Sequence, residues 1–168
     1  MAEADRAGSE IAFLARLETE TRLDGLLPHL DEESERRDRT LAAIRRLPTR
    51  RADAVRLIDG GTSLFGLFEL HAFDLEPTPQ LCRAYRRSLD GLVDTLAPGT
   101  AGSDRAPMEL SQQISNLTWL RANGCDLSTP LGRAAMLLRQ QDGDDGPALA
   151  NSLDEVAGTP AAPPTTER

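Results

Sequence analysis

The chain has 168 residues, a length suited to one folded domain, and 39% of them are hydrophobic but only 4% aromatic. Leu, Ala, Val and Ile must therefore fill the core, a composition that favours helices over a β-sandwich or barrel. All 19 basic residues are arginine. Without a lysine amine the chain can form no Schiff base with pyridoxal phosphate or a carbonyl substrate, and it can complete no GKS or GKT phosphate-binding loop.

The net charge of −8 is concentrated near the C-terminus. From Asp142 onward six acids and one arginine give −5 of this total, which leaves −3 for the first 141 residues. Binding to nucleic acid depends on many cations that neutralise phosphates, so the overall charge disfavours a nucleic-acid partner.

The N-terminal sequence contains no basic region followed by an apolar run, and no 18 consecutive residues are apolar. We therefore expect a cytoplasmic protein that does not enter a membrane. Cys82 and Cys125 are widely separated and do not form a CxxC motif, so neither a disulfide framework nor a zinc site is indicated. We expect both to be reduced thiols packed in the interior.

Apolar residues in the first 60 positions recur at helical spacing. We expect residues 1–8 to be disordered and helices to cover 9–27, 31–47 and 49–59, because Pro28, Pro48 and the glycines after Asp59 interrupt the pattern. The first two turns of the helix over 31–47 carry acid-before-base pairs at a spacing of four, which stabilise a solvated helix. We expect these turns to project from the core or to meet another chain.

The stretch 64–73 is the most apolar part of the chain. Leu64, Leu67, Phe68 and His71 follow a helical pattern, which predicts a buried helix. A short buried strand would also suit a run of this length, and the pattern leaves that alternative open.

Thr78 and Pro79 begin the helix with the clearest pattern, since Thr is a favoured cap and Pro is tolerated at the first helical position. Its apolar residues alternate at spacings of three and four, as side-by-side packing of helices requires. We name this predicted helix, over 79–96, α5, and we call its apolar residues the α5 stripe: Cys82, Tyr85, Leu89, Leu92 and Leu96. Further helices are predicted over 107–122 and 129–141.

Residues 142–168 lose the apolar periodicity and are rich in Gly, Pro, Ala, Thr and acids, so we expect a disordered acidic tail. The sequence thus predicts an all-α bundle of five to six short helices over 9–141. The acidic residues around Asp144 do not form a calcium loop, because Pro147 and Leu153 occupy positions that require Gly and Glu. We expect no metal and no cofactor.

Four arginines form a concentrated positive region with no acid among them: Arg45, Arg46, Arg50 and Arg51. They could bind an anion, an acidic protein surface or this chain's own acidic tail, or they could be a solvated face. His71 lies near Glu69, Asp74 and Glu76 and is the best candidate for acid-base chemistry, although a lone histidine on an apolar helix is more often a packing residue.

Residues 113–141 resemble a helix-turn-helix, with Arg133 and Arg139 on its second helix. Any antiparallel helix pair gives the same pattern. The sequence therefore favours a non-catalytic adaptor or regulatory protein that binds another protein or forms a homodimer. The surfaces we predict for this are the α5 stripe, the four arginines and the outer half of the helix over 31–47. The alternatives are a DNA-binding regulator and a small helical enzyme centred on His71.

Overall fold

The computed structural model describes residues 2–31 and 34–158. Its regular structure over these residues is entirely helical, as the composition predicts. The α-helices are α1 (Ala2–Thr19), α2 (Leu23–Leu26), α3 (Ser34–Arg46), α4 (Arg50–Asp59), α5 (Pro79–Asp94), α6 (Ala106–Gln112), α7 (Ile114–Ala122), α8 (Ser128–Arg139) and α9 (Asp145–Gly158). Short 3-10 helices cover Leu27–Asp31, Leu64–Leu67 and Leu70–Ala72.

The described residues contain nine α-helices, more than the predicted five to six: two expected helices are split, α9 was not expected, and the helix expected over 64–73 is absent. The helix over 9–27 ends early. After Thr19 the Glu20 carboxylate accepts the backbone N–H groups of Thr21 and Arg22, both at 3.0 Å, and turns the chain. The helix over 107–122 is divided at Gln113, between α6 and α7.

Asp53 stabilises the start of α2. Its Oδ2 atom accepts the backbone N–H of Leu23 at 3.0 Å and the hydroxyl of Thr49 at 3.2 Å. The first N–H groups of a helix have no partner inside the helix. A buried carboxylate from α4 therefore caps α2 and ties it to α4.

Helix α5 lies at the centre of the domain, packed against α4 and α8, and α9 packs along α8. Thr78 caps α5 as predicted, since its side chain accepts the N–H of Leu81 at 3.3 Å and Pro79 is the first helical residue. Tyr85, Leu89 and Leu96 are buried in the core of the chain itself. The alternating spacing of the α5 stripe is therefore used for packing within one chain.

Residues 64–73 are neither the expected regular helix nor the alternative strand. They form two 3-10 turns, and carbonyl groups of the first turn are bound by side chains from the distant α6–α7 region. The amide nitrogens of Gln113 and Asn116 donate to the carbonyls of Leu64 and Leu67, each at 2.8 Å. Because these side chains satisfy buried carbonyls, the segment can be buried without a regular backbone ladder.

Both expected disordered ends contain helix. The first helix already begins at Ala2, so residues 2–8 do not match the expected disorder. In the expected tail, α9 buries Ala150, Leu153 and Val156 against the rest of the domain. The helical domain therefore extends past Gln141 to at least Gly158, and the end of the expected tail, 159–168, lies outside the described residues.

The expectation of reduced thiols is wrong. Cys82 and Cys125 form a disulfide with a Cα–Cα distance of 5.6 Å, across 43 residues of sequence. The bond joins the first turns of α5 to the loop between α7 and α8. Sequence spacing gave no sign of it, because the fold alone brings the two positions together.

Candidate interaction surface

Helix α1 is attached to the domain by one face of its C-terminal half. Phe13 and Leu17 are buried. The Phe13 ring meets the ring of His29 edge-on, with 5.6 Å between centroids, and the guanidinium carbon of Arg36 lies 4.8 Å from the Phe13 ring centroid. An apolar contact and a cation–π contact thus hold this face of α1 against the 3-10 turn at 27–31 and α3.

Glu10 supplies a second attachment. Its carboxylate accepts from Arg36 at 3.0 Å and from Arg39 at 3.1 Å, both on α3. Two guanidinium groups therefore compensate one carboxylate midway along α1.

Beside its buried face, α1 carries a row of apolar residues that are exposed to solvent. Ala4, Ala7, Ile11 and Leu14 are all exposed and succeed one another at spacings of three, four and three, so they lie along one side of the helix. Ile11 is 69% exposed and Leu14 is 36% exposed. We call these four residues the α1 stripe.

The first turns of α1 have no inner face at all. Every residue from Glu3 to Ser9 is exposed, so the helix projects beyond the body of the domain before Ser9, Glu10 and Phe13 attach it. Short helices without packing are marginally stable in water. The projecting turns are therefore a segment that a partner would stabilise.

The structure places the predicted α5 stripe mostly inside the protein. Tyr85, Leu89 and Leu96 are at most 2% exposed, while Cys82 and Leu92 are partly buried. A second chain cannot reach the three fully buried residues without unfolding this chain. The outer half of the helix over 31–47 is also partly occupied by contacts within the chain, since Arg36 and Arg39 bind Glu10.

The predicted arginine cluster is used largely to bind the chain's own backbone. Arg45 donates to the carbonyl of Ala72 at 2.9 Å, and Arg50 donates to the carbonyls of Phe73 and Asp74 at 3.1 and 2.8 Å. Arg51 lies 3.9 Å from a carboxylate oxygen of Glu76. Arg46 is exposed. Arg45 and Arg50 therefore hold the backbone at residues 72–74, and Arg51 lies near the exposed carboxylate of Glu76.

His71 is exposed and does not lie on a buried face. Its backbone N–H and its Nδ1 atom both lie close to Oδ1 of Asn116, at 2.9 and 3.0 Å. Glu69, expected nearby, is buried and pairs with Arg37 on α3. The structure therefore does not join His71 and Glu69 in one acid-base site.

The two arginines of the helix-turn-helix hypothesis bind carboxylates of this chain. Arg133 pairs with Asp94 on α5, and Arg139 pairs with Asp154 and contacts Asn151 on α9. The acids that begin the expected tail are at the N-terminal end of α9, where a negative charge is favourable.

The sequence contains a signal for the α1 stripe. Ile11 lies far round the helix from Phe13 and Leu17, whereas Leu14 is three residues from both Ile11 and Leu17 and so lies between the two sides. Two apolar stripes on one helix predict two contacts, one inside the chain and one outside it.

Comparisons with known proteins found no matching family, no similar curated protein and no similar solved structure. None of the helices in the described part of the chain is long and apolar enough to cross a membrane. Within the same residues no group of three or more His, Cys, Asp or Glu side chains is arranged to hold a metal ion.

Proposed function

We propose that this chain is a non-catalytic protein-interaction module, of an adaptor or regulatory kind, which pairs with a second copy of itself through α1. The observation that carries the proposal is the α1 stripe on a helix that projects from the domain. Ile11, at 69% exposed, is its most prominent residue. Burial of an aliphatic side chain of this size stabilises a contact by roughly 1.5 to 3 kcal/mol.

The order of small and large residues along the stripe suits an antiparallel pair of α1 helices. When two copies are related by a two-fold axis near Ser9, Ala4 of one chain lies opposite Leu14 of the second copy, and Ala7 lies opposite Ile11. Each large side chain then fills the space left by a small one. A two-fold interface must be self-complementary in this way, because both partners contribute the same surface.

The charges beside the stripe permit this pairing. In the antiparallel arrangement the two copies of Glu10 approach each other, and like charges in contact would oppose association. Arg36 and Arg39 already compensate each Glu10 within its own chain, at 3.0 and 3.1 Å. On the other flank Gly8 and Ala15 are small and uncharged, so the helices can approach closely.

The contact involves little more than one helix from each chain, well below the ~1,600 Å² that a standard interface buries. We therefore expect a weak dimer whose population depends on protein concentration. Such a dimer suits a regulatory module, because a modest change in protein concentration, or tethering of the two copies, shifts the equilibrium between monomer and dimer.

Analytical ultracentrifugation from micromolar to millimolar concentration tests the proposal. We expect Ile11→Glu and Leu14→Glu each to weaken association at least about tenfold, since each puts a charge into the apolar contact. Met136→Glu is the matched control, because Met136 on α8 is 53% exposed and lies outside α1. Circular dichroism establishes that all three variants remain helical.

A monomer at every concentration would overturn the proposal. So would a dimer that persists in Ile11→Glu and Leu14→Glu, because another surface would then make the contact.

A further inference from the structure

The disulfide between Cys82 and Cys125 is open to solvent on one side only. Cys82, in the first turns of α5, is partly exposed, whereas Cys125 is 2% exposed. A thiolate from solution therefore reaches the Cys82 sulfur first. An accessible cysteine paired with a buried one is the arrangement that allows attack at one defined sulfur.

A cavity of about 350 Å³ lies at the accessible cysteine. Its walls include Pro77 and Pro79 before and at the start of α5, Arg83 on the next turn, and Asn123 and Gly124 in the loop that precedes Cys125. This volume is within the range of small-molecule sites, roughly 300 to 1,000 Å³.

The cavity is electropositive on the α5 side. Arg83 and Arg86 both line it, and the N-terminal end of a 16-residue helix adds a partial positive charge. Asp126 supplies the opposing charge. Hydrogen bonds from the hydroxyl and the backbone N–H of Ser128 hold the pKa of the Asp126 carboxyl below its usual range. Two guanidinium groups and a helix terminus outweigh one carboxylate.

We propose that Cys82–Cys125 is a thiol–disulfide exchange site for a small anionic thiol, one that carries carboxylates and binds beside Arg83 and Arg86. The thiolate of the small molecule attacks Sγ of Cys82, the bond to Cys125 breaks, and its electron pair leaves on the Cys125 sulfur, which takes a proton from water. A second thiolate attacks the small-molecule sulfur of the mixed disulfide and releases Cys82 as a thiolate. Two thiols are oxidised to one disulfide, and the protein gains two electrons.

Positive charge at the cavity serves both steps. It attracts the anionic thiol, and it favours Cys82 as the thiolate that leaves in the second step. The buried Cys125 stays next to Cys82, so the reverse reaction re-forms the bond when the small disulfide is abundant. The state of the bond then reports the ratio of thiol to disulfide around the protein.

Reduction kinetics of the intact, folded protein test this site, with glutathione as the anionic thiol and mercaptoethanol as the neutral one. Rates are compared per thiolate present. We expect the double variant Arg83→Gln and Arg86→Gln to react with glutathione roughly three- to tenfold more slowly, from the loss of two partly screened charges, and with mercaptoethanol at nearly the native rate. Arg87→Gln is the matched control, because Arg87 follows on the same helix but binds Asp59 on α4 at 2.6 Å.

Mass spectrometry of quenched reactions identifies the sulfur attacked. We expect the glutathione adduct on the peptide that contains Cys82. An adduct confined to the Cys125 peptide, an equal slowing with both thiols, or a bond that glutathione fails to reduce while the protein stays folded would each overturn the proposal.

Discussion

Asn116 and its neighbours form a polar network inside the core. Asn116 accepts the N–H of His71 through Oδ1 at 2.9 Å, and its amide nitrogen donates to the carbonyl of Leu67 at 2.8 Å and to Gln113 at 3.0 Å. The hydroxyl of Tyr85 donates to the same oxygen of Gln113 at 2.7 Å. Every member lies within hydrogen-bond distance of a partner, which is the condition under which buried polar groups stabilise a fold.

Tyr85 makes this network sensitive to alkaline pH. Burial raises the pKa of the phenol far above its ordinary value of 10.0. The neutral phenol is thus favoured in the folded state, so its stabilisation is complete below the pKa of the unfolded chain and is lost as pH rises beyond it. The chain has one tyrosine, no lysine and two disulfide-bonded cysteines, so few other side chains titrate in this range.

We therefore expect Tyr85 to ionise only when the protein unfolds. In an alkaline titration, tyrosinate absorbance should rise together with the loss of helical circular dichroism. At neutral pH the free energy of unfolding of the variant Tyr85→Phe should be lower by about 1 kcal/mol, a modest loss because Gln113 keeps its hydrogen bond from Asn116. Above pH 10 the stability of this variant should fall less steeply than that of the native protein. Tyrosinate formation in protein that remains fully folded would contradict this account of the core.

At the level of elements, the helices whose caps, stops and apolar spacing lie within their own segments could be predicted from the sequence. Helix α5 begins at Pro79 after the Thr78 cap, and α4 and α8 begin within a residue or so of their predicted starts. In these cases the stop, the cap and the apolar period are local, so no knowledge of the rest of the chain is needed.

The elements that were missed depend on distant partners. Residues 64–73 form 3-10 turns because Gln113 and Asn116, more than 40 positions away, bind their carbonyls. Helix α9 is rich in Ala, Gly and acids, and its apolar residues stabilise it only where they pack on α8. The disulfide and the buried α5 stripe likewise depend on which helices become neighbours, which periodicity does not specify.

Gly146 shows how closely α9 approaches α8. A β-carbon at this position would lie 2.4 Å from the carbonyl oxygen of Leu138, a backbone atom that cannot move aside. We expect Gly146→Ala to lower the free energy of unfolding by roughly 1 to 3 kcal/mol, although Ala favours helix. Urea denaturation measures the change.

Gly91→Ala is the control for this substitution. Gly91 is exposed on α5, and nothing lies within 4 Å of its would-be β-carbon. The same replacement there should stabilise the protein by about 0.5 to 1 kcal/mol. If both variants are stabilised, α9 does not pack on α8 as the structure has it.

At the scale of the whole molecule, the core binds the chain together and leaves α1 partly outside. The buried face at Phe13 and Leu17 and the pairing of Glu10 with Arg36 and Arg39 attach one half of the helix. The α1 stripe and the projecting turns remain available to a second copy. The proposed adaptor or regulatory role follows from that division of one helix between an inner and an outer contact.

Amide hydrogen exchange of α1 at low and at high protein concentration tests this self-association most directly. We predict that amides over residues 6–14 become more protected as concentration rises, while those of α5 exchange at the same rate throughout, because pairing stabilises only the helix that takes part in it. Exchange in α1 that does not change with concentration would contradict the dimer.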